Sequence, residues 1–206
     1  MSVLLWRMRP QDAQLVQLDV IRRDWTDGNE IRSATYSPSE KFRYDLLIWW
    51  GESTPRSDRM VAFVGLNPST ATEQQDDPTV KRCKRFARSW GFNGMVMLNA
   101  FAYRATDPND MKKQDSPVGT WNDLYLQRWT LDVWNVVVAW GTHGLHLNRQ
   151  AELVDILPAH NLQCLGQNDN GTPKHPLYLR SDTNRQHWKP CPATVAQPTA
   201  RAVTRD

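Results

Sequence analysis

The chain has 206 residues, 40% hydrophobic and 23% charged, with a formal net charge of +3. That length suits one domain burying roughly 70% of its unfolded surface, and a negative mean hydropathy leaves the surface polar. No apolar run reaches the roughly 18 residues of a membrane span, and Met1 to Pro10 lacks the apolar stretch of a signal peptide, so a cytoplasmic protein is expected.

In chain order, the first 40 residues predict a helical or irregular extension. An apolar run at Tyr44–Trp50 predicts a strand, and GESTPRSDR (Gly51 to Arg59) a loop before a second strand, Met60–Leu66. Asp76-Asp77-Pro78 supplies an N-cap followed by proline at the first helical position, and Gly91 sits where a helix ends. The helix between them, Asp77 to Trp90, carries Val80, Cys83, Ala87 and Trp90 on one stripe. Lys81, Lys84, Arg85 and Arg88 lie on another. Strands then follow at Met95–Phe101, Asn135–Trp140 and Leu162–Leu165, with helices at Asn122–Trp134 and Leu145–Leu157, the latter stopped by Pro158. From Lys189 onward three prolines and few large apolar residues predict a disordered tail over 189–206 behind a single domain, 1–188. Nearly continuous apolar strands alternating with helices imply an α/β fold. The expectation is an α/β/α sandwich around a mostly parallel sheet of four to five strands.

The polar inventory excludes several chemistries. Cys83, Cys164 and Cys191 are scattered and odd in number, which gives no disulfide framework, no CxxC zinc site and no four-cysteine cluster. His143 and His146 stand three apart with no third ligand near them in sequence, so neither a metal nor a cofactor is expected. Lys189, Arg201 and Arg205 against Asp206 place +2 of the net charge in the tail. Any nucleic-acid surface must then be a local patch.

Ligands of open parallel sheets bind beyond the carboxyl ends of the strands. The residues there are Asn67-Pro68-Ser69, then Asn99 with Tyr103-Arg104, then Gly141-Thr142-His143, then Gly166-Gln167 and Lys174-His175-Pro176. Asn67 either caps the turn or faces a ligand. Asn99, inside the apolar run MVMLNAF, is costly to bury alone, so it meets either a pocket or a backbone it satisfies. His175 is either a structural histidine or a site group. The basic stripe of the Asp77–Trp90 helix is either a solvated face or a contact for a phosphate backbone.

Together these residues resemble the uracil-DNA glycosylase superfamily. Its first motif, Gly-x-Asp/Asn-Pro after a strand, is similar to Gly65-Leu66-Asn67-Pro68. A later strand ending in Asn-Ala resembles Met97-Leu98-Asn99-Ala100, the Leu-Trp-Gly strand end resembles Ala139-Trp140-Gly141, and the final His-Pro-Ser-Pro-Leu resembles His175-Pro176-Leu177. All four stand in the family's order. The chain also resembles a less characterised bacterial and phage family marked by Asn67 to Ala71, Asp76 to Thr79, Arg104 to Pro108, Ala139 to Gly141 and Gly171 to Leu177. Some of its members look like defence enzymes that remove hypermodified bases from phage DNA. Three departures from the superfamily matter. Asn67 replaces the aspartate of the most efficient uracil enzymes, Ser69 replaces a glycine or tyrosine, and Leu177 replaces the last motif's serine.

The resemblance implies a DNA glycosylase that flips a modified base from the duplex and leaves an abasic site. Asn67 would hold a water, His175 would donate to the departing base, and Asp77 is a second candidate for activating the water. Asn99 would read the base edge, in a pocket formed with Gly65, Leu66, Pro68, Ser69, Tyr103, Arg104 and Asp107. Lys81, Lys84, Arg85, Arg88, His143, Lys174 and Arg180 would meet DNA, the implied partner. No lysine lies in the motifs for Schiff-base chemistry. The alternatives are a hydrolase of free nucleotides or nucleosides and a non-catalytic module that binds modified bases.

Overall fold

Two antiparallel strands, β1 (Ile21–Asp27) and β2 (Glu30–Tyr36), occupy a stretch for which the sequence predicts a helical or irregular extension. The computed structural model describes residues 18–158 and 162–190, so residues 1–17 of that extension, and the predicted tail beyond Pro190, lie outside the described residues. The hairpin forms because Asp27 pairs with Glu30 across Gly28-Asn29, with Gly28 at φ 55°, and glycine adopts such a turn without steric cost.

β3 (Arg43–Trp49), β4 (Met60–Gly65), β5 (Gly94–Asn99), β6 (Asn135–Val138) and β7 (Leu162–Cys164) fall within one or two residues of their predicted positions at most ends. A final short strand, β8 (Gln186–His187), completes an eight-stranded sheet in the order β1-β2-β3-β5-β4-β6-β7-β8. The sheet is thus larger than the expected four to five strands, and most of its pairings are antiparallel. Only the neighbours β5/β4, β4/β6 and β6/β7 run parallel. The antiparallel additions escape sequence reading because β1 is exposed along nearly its whole length and β8 is two exposed residues. Neither presents an apolar run.

The helices cover both faces. α1 (Pro78–Ser89) buries Val80, Cys83, Phe86 and Ala87 against Val61, Phe63, Met95 and Val137. Burial also pushes the Cys83 thiol up, which keeps it inert. On the other face, α3 (Asn122–Asp132) and α4 (Arg149–Ile156) place Leu126 and Leu153 against Ala62, Val64, Leu98 and Val138. The short α2 (Pro108–Lys112) lies between β5 and α3. The predicted helix Leu145–Leu157 is realised only as α4; Thr142–Asn148 form a 3-10 turn in which Leu147 and Asn148 take left-handed φ of 54° and 58°. Trp188, 1% exposed, pins β8 by donating Nε1 to Gly171 O at 3.2 Å and meeting Trp140 edge-on at 5.3 Å.

The crossover from β4 through α1 leads to β5 on one side of β4, and the crossover through α3 returns to β6 on its other side. The sheet therefore reverses its winding between β4 and β6, where open α/β sheets form a crevice at the strand carboxyl ends.

Candidate functional site

The carboxyl end of β4 is held by its neighbours. Gly65 O and Leu66 O accept from Ala100 N at 2.8 Å and Phe101 N at 2.9 Å. A Cβ on Gly65 would come 3.2 Å from Asn99 Oδ1, so a side chain there crowds that carboxamide. Leu66 goes into the core at 7% exposure. Asn67 then turns back: its Nδ2 donates to Ala105 O at 2.7 Å, Pro68 O at 3.0 Å and Tyr103 O at 3.4 Å, and Pro68 O accepts from Ala105 N at 2.9 Å. The amide nitrogen of Asn67 is thus a strut between the turn and residues 103–105, which leaves its Oδ1 for any ligand. Ser69 Oγ reaches Thr106 Oγ1 at 3.4 Å beside it.

Asn99 ends β5 at 2% exposure. Its backbone oxygen accepts from Asn122 Nδ2 at 3.0 Å, but its own Nδ2 is buried with no partner among the described residues. An unmet buried donor costs about 1–3 kcal/mol, so this amide is a group that a bound acceptor would stabilise.

Across the winding reversal, Gly141 follows Trp140 with φ 70° and ψ −170°, a region held almost only by glycine. Its N–H donates to Pro173 O at 2.9 Å, and a Cβ there would lie 3.7 Å from His175 Cβ. The end of β6 is thereby tied to the segment that carries His175. Nδ1 of His175 accepts from Leu177 N at 3.4 Å, which places the proton of the neutral ring on Nε2. Burial holds His175 below the ordinary value, partly offset by the charge of Asp77. Asp77 itself, 7% exposed, caps α1 by accepting from Val80 N at 2.8 Å.

A pH dependence follows. Because the folded ring resists protonation, the unfolded chain binds more protons below pH about 6.5. The contribution of His175 is present above that value and lost as pH falls through 6.5 toward the folded pKa. Thermal melts between pH 8 and 5 are expected to show a smaller acid-side loss in His175→Asn than in the natural chain; equal losses would remove this role.

Several predicted site residues have other occupations. Arg104 donates Nη1 to Glu40 O at 3.1 Å and lies over the Tyr36 ring at 5.3 Å. Asp107 caps α2 by accepting from Asn109 N at 2.8 Å, so Arg104 and Asp107 form no pair with each other. The ring of Tyr103 stands edge-on to Phe42 at 5.5 Å. On α1, Lys84 pairs with Glu30 at 2.5 Å and Asp76 at 3.5 Å, and Arg88 pairs with Glu30 at 2.9 Å. Of the four cations, Lys81 and Arg85 alone form no ion pair among the described residues. Arg180 pairs with Asp182 at 3.0 Å, and His143 Nδ1 meets Lys112 Nζ at 2.8 Å. Lys174 lines a shallow cavity with Thr142, Gln167 and Asp169, next to His175 in sequence but open to solvent.

Three residues at the site went unread in the sequence because their partners lie on distant elements. Arg43 donates Nη1 to Ala71 O at 2.6 Å, Tyr36 donates to Glu73 Oε2 at 2.9 Å, and Arg32 donates to Asp76 Oδ1 at 2.5 Å. Burial, then the bond to Glu73, pushes the Tyr36 phenol up to about 12, and burial lowers Arg43 to about 10. A charged residue at the very start of the apolar run RYDLLIW was the one available sign of Arg43.

Fold and site together define an α/β protein with polar residues gathered at the carboxyl ends of β4, β5 and β6. Among the described residues no helix is long and apolar enough to cross a membrane. The chain belongs to the family described as Protein of unknown function (DUF1643), whose model matches residues 43–177. That span runs from Arg43 to the turn after His175 and contains Asn67, Asn99 and Gly141, whereas β1, β2 and β8 lie outside it. No curated protein and no solved structure matches the chain.

Proposed function

We propose that the protein is a DNA glycosylase that excises a modified base by hydrolysing its N-glycosidic bond, on a three-layer α/β/α core of the uracil-DNA glycosylase type. The observation that carries this reading is Asn99: a buried amide whose N–H lacks a partner among the described residues, at a strand end beside Gly65, in a sheet whose neighbouring β6 end is tied to the segment carrying His175. Two N–H donors, Asn99 Nδ2 and His175 Nε2, suit a base that departs with the bonding electron pair and gathers negative charge. A neutral imidazole, which burial favours here, donates to that charge without first competing as a fixed cation. The water oxygen bonds to the anomeric carbon as the carbon–nitrogen bond breaks. Oδ1 of Asn67 orients that water, and the Asp77 carboxylate accepts its proton. The product is an abasic site.

The test is release of free base from DNA carrying cytosine, uracil, hydroxymethylcytosine or glucosylated hydroxymethylcytosine, scored as alkali-labile sites. At least one modified DNA is expected to yield base, with at least tenfold loss in Asn99→Ala and in His175→Asn; release from none of them rejects the reading. A second reading, hydrolysis of free nucleosides or nucleotides through the same site, is favoured by one observation: Lys84 and Arg88 are occupied by Glu30 and Asp76. Charge reversal at the two remaining cations of the basic stripe, Lys81→Glu with Arg85→Glu, separates the two. It is expected to abolish release from duplex and would spare a nucleoside hydrolase.

A further inference from the structure

We propose that Arg43 is a positioning residue for the strand-end site: from the first position of β3 it holds the 66–77 loop onto the sheet, and its cation offsets the carboxylate of Asp77 at the end of that loop. The inference rests on the reading of His175 as the group that faces the departing base, and it concerns a residue outside every motif of that reading.

The geometry is specific. Arg43 is 1% exposed, yet a guanidinium needs partners when taken from water. Its one side-chain bond is to the loop, from Nη1 to Ala71 O at 2.6 Å, and its Nε has none among the described residues. Its backbone N–H donates to Ala102 O at 3.0 Å, which places it at the same sheet rim as Asn99. The ionisable groups that act on Arg43 are Tyr36, Asp77, Arg104 and Asp45. On His175, Asp77 is the charge that acts, and Tyr178 adds a ring at 6.2 Å. The charge of Asp77 thus acts on both the buried cation and the site imidazole, and the 3-10 turn that begins at Pro176 packs on α1, which Asp77 caps.

Neighbouring strands reinforce the arrangement. Tyr36 holds Glu73, and Arg32 donates to Thr72 O at 3.3 Å and to Asp76. Consecutive loop residues 71, 72 and 73 are each bound by a side chain of β2 or β3. The antiparallel extension thus works as a clamp on the loop that runs from Asn67 to Asp77. Arg43 is the member of the clamp whose cation also feels the charge of Asp77.

The test needs no substrate. In the full chain, the His175 ring is titrated by NMR and amide exchange of residues 66–77 is followed in Arg43→Met, Asp77→Asn and the double variant. Loss of the cation is expected to move the His175 midpoint upward, and loop exchange is expected to rise at least tenfold over that of the β4 and β5 amides. In Asp77→Asn the Arg43 effect on His175 is expected to shrink, since the two act through one carboxylate. Arg43→Lys keeps the charge and shortens the reach to Ala71 O. It is expected to raise loop exchange while leaving the His175 midpoint near its natural position, and it keeps the test open if Arg43→Met does not fold. An unchanged midpoint and unchanged loop exchange, in Arg43→Met or, where that fails to fold, unchanged exchange in Arg43→Lys, would reduce Arg43 to a core residue. Absence of base release from any DNA would reject the glycosylase reading and leave these two measurements to judge the clamp alone.

Discussion

Replacing Asn67 by aspartate is expected to destabilise the protein more than replacing it by alanine. The Nδ2 of Asn67 donates to three carbonyl oxygens, those of Ala105, Pro68 and Tyr103. Alanine removes the donor and leaves these oxygens without it. Asn67→Asp places a carboxylate oxygen against them, so unmet acceptors are joined by direct repulsion. A half-buried site of this kind is expected to cost about 2–4 kcal/mol, which for a chain of this size is a drop of roughly 5–15 °C in Tm.

The loss has a defined pH dependence. The surrounding carbonyl dipoles favour the protonated acid in the fold and raise its pKa above the unfolded value of about 3.9. The variant is then closest to natural stability below pH 4, where the protonated acid can still donate, and loses ground as pH rises through the folded pKa. Melts of both variants at pH 4.5 and pH 8 check this. If Asn67→Asp is as stable as Asn67→Ala at pH 8, the strut is misassigned. The three carbonyls that accept from Asn67 Nδ2 are the structural reason this turn carries a carboxamide. An aspartate here would have to be accommodated against the very turn that shapes the site.

Gly144→Ala is expected to be the most damaging single methyl in the described chain. A Cβ at Gly144 would fall 2.1 Å from Cδ1 of Trp140 and 2.8 Å from its Cγ and Nε1. The indole cannot retreat: Trp140 is 1% exposed, donates Nε1 to Gln150 Oε1 at 3.0 Å and meets Trp188 edge-on. Overpacking of a closed core costs about 3 kcal/mol or more when neither side can move, a fall of roughly 6–12 °C in Tm. Gly28→Ala is the matched control. No atom lies within 4 Å of its Cβ position, so only its left-handed φ of 55° opposes the methyl, a cost of roughly 1–2 kcal/mol. Circular dichroism melts, with near-ultraviolet tryptophan signals as a local readout, compare the two. Equal losses would mean that the 142–148 turn does not rest on Trp140.

Much of the frame is legible residue by residue. Asp77-Pro78 announces the start of α1 through a side chain that accepts from Val80 N and a ring that fits the first helical turn. Asp107-Pro108 repeats the same signature and starts α2; read as part of a base pocket, it is first of all a cap. Gly141 is legible as a strand terminator, and its φ and ψ supply the reason. For Asn67 the alternatives of turn residue and site residue prove not to compete, because the amide nitrogen serves the turn while the oxygen remains.

What stays illegible depends on partners that sequence does not bring together. Four of the five cations of α1 form a stripe in the sequence, and only the fold shows that β2 brings Glu30 against Lys84 and Arg88. Arg43 gives no periodic signal, and its importance comes from Ala71 and Asp77, 28 and more residues away in the chain. β8 is two exposed residues whose place is set by the burial of Trp188 next to them.

The sequence by itself determined the apolar runs, the caps and the glycine-bearing turns, because each is decided by contacts within a few residues. It thereby determined an α/β chain with polar residues at its strand ends. Only the tertiary structure decided that the sheet has eight strands, that its winding reverses between β4 and β6, and which cations are already neutralised. Those outcomes rest on pairing between segments distant in the chain, where burial and charge complementarity, not local preference, select the partner.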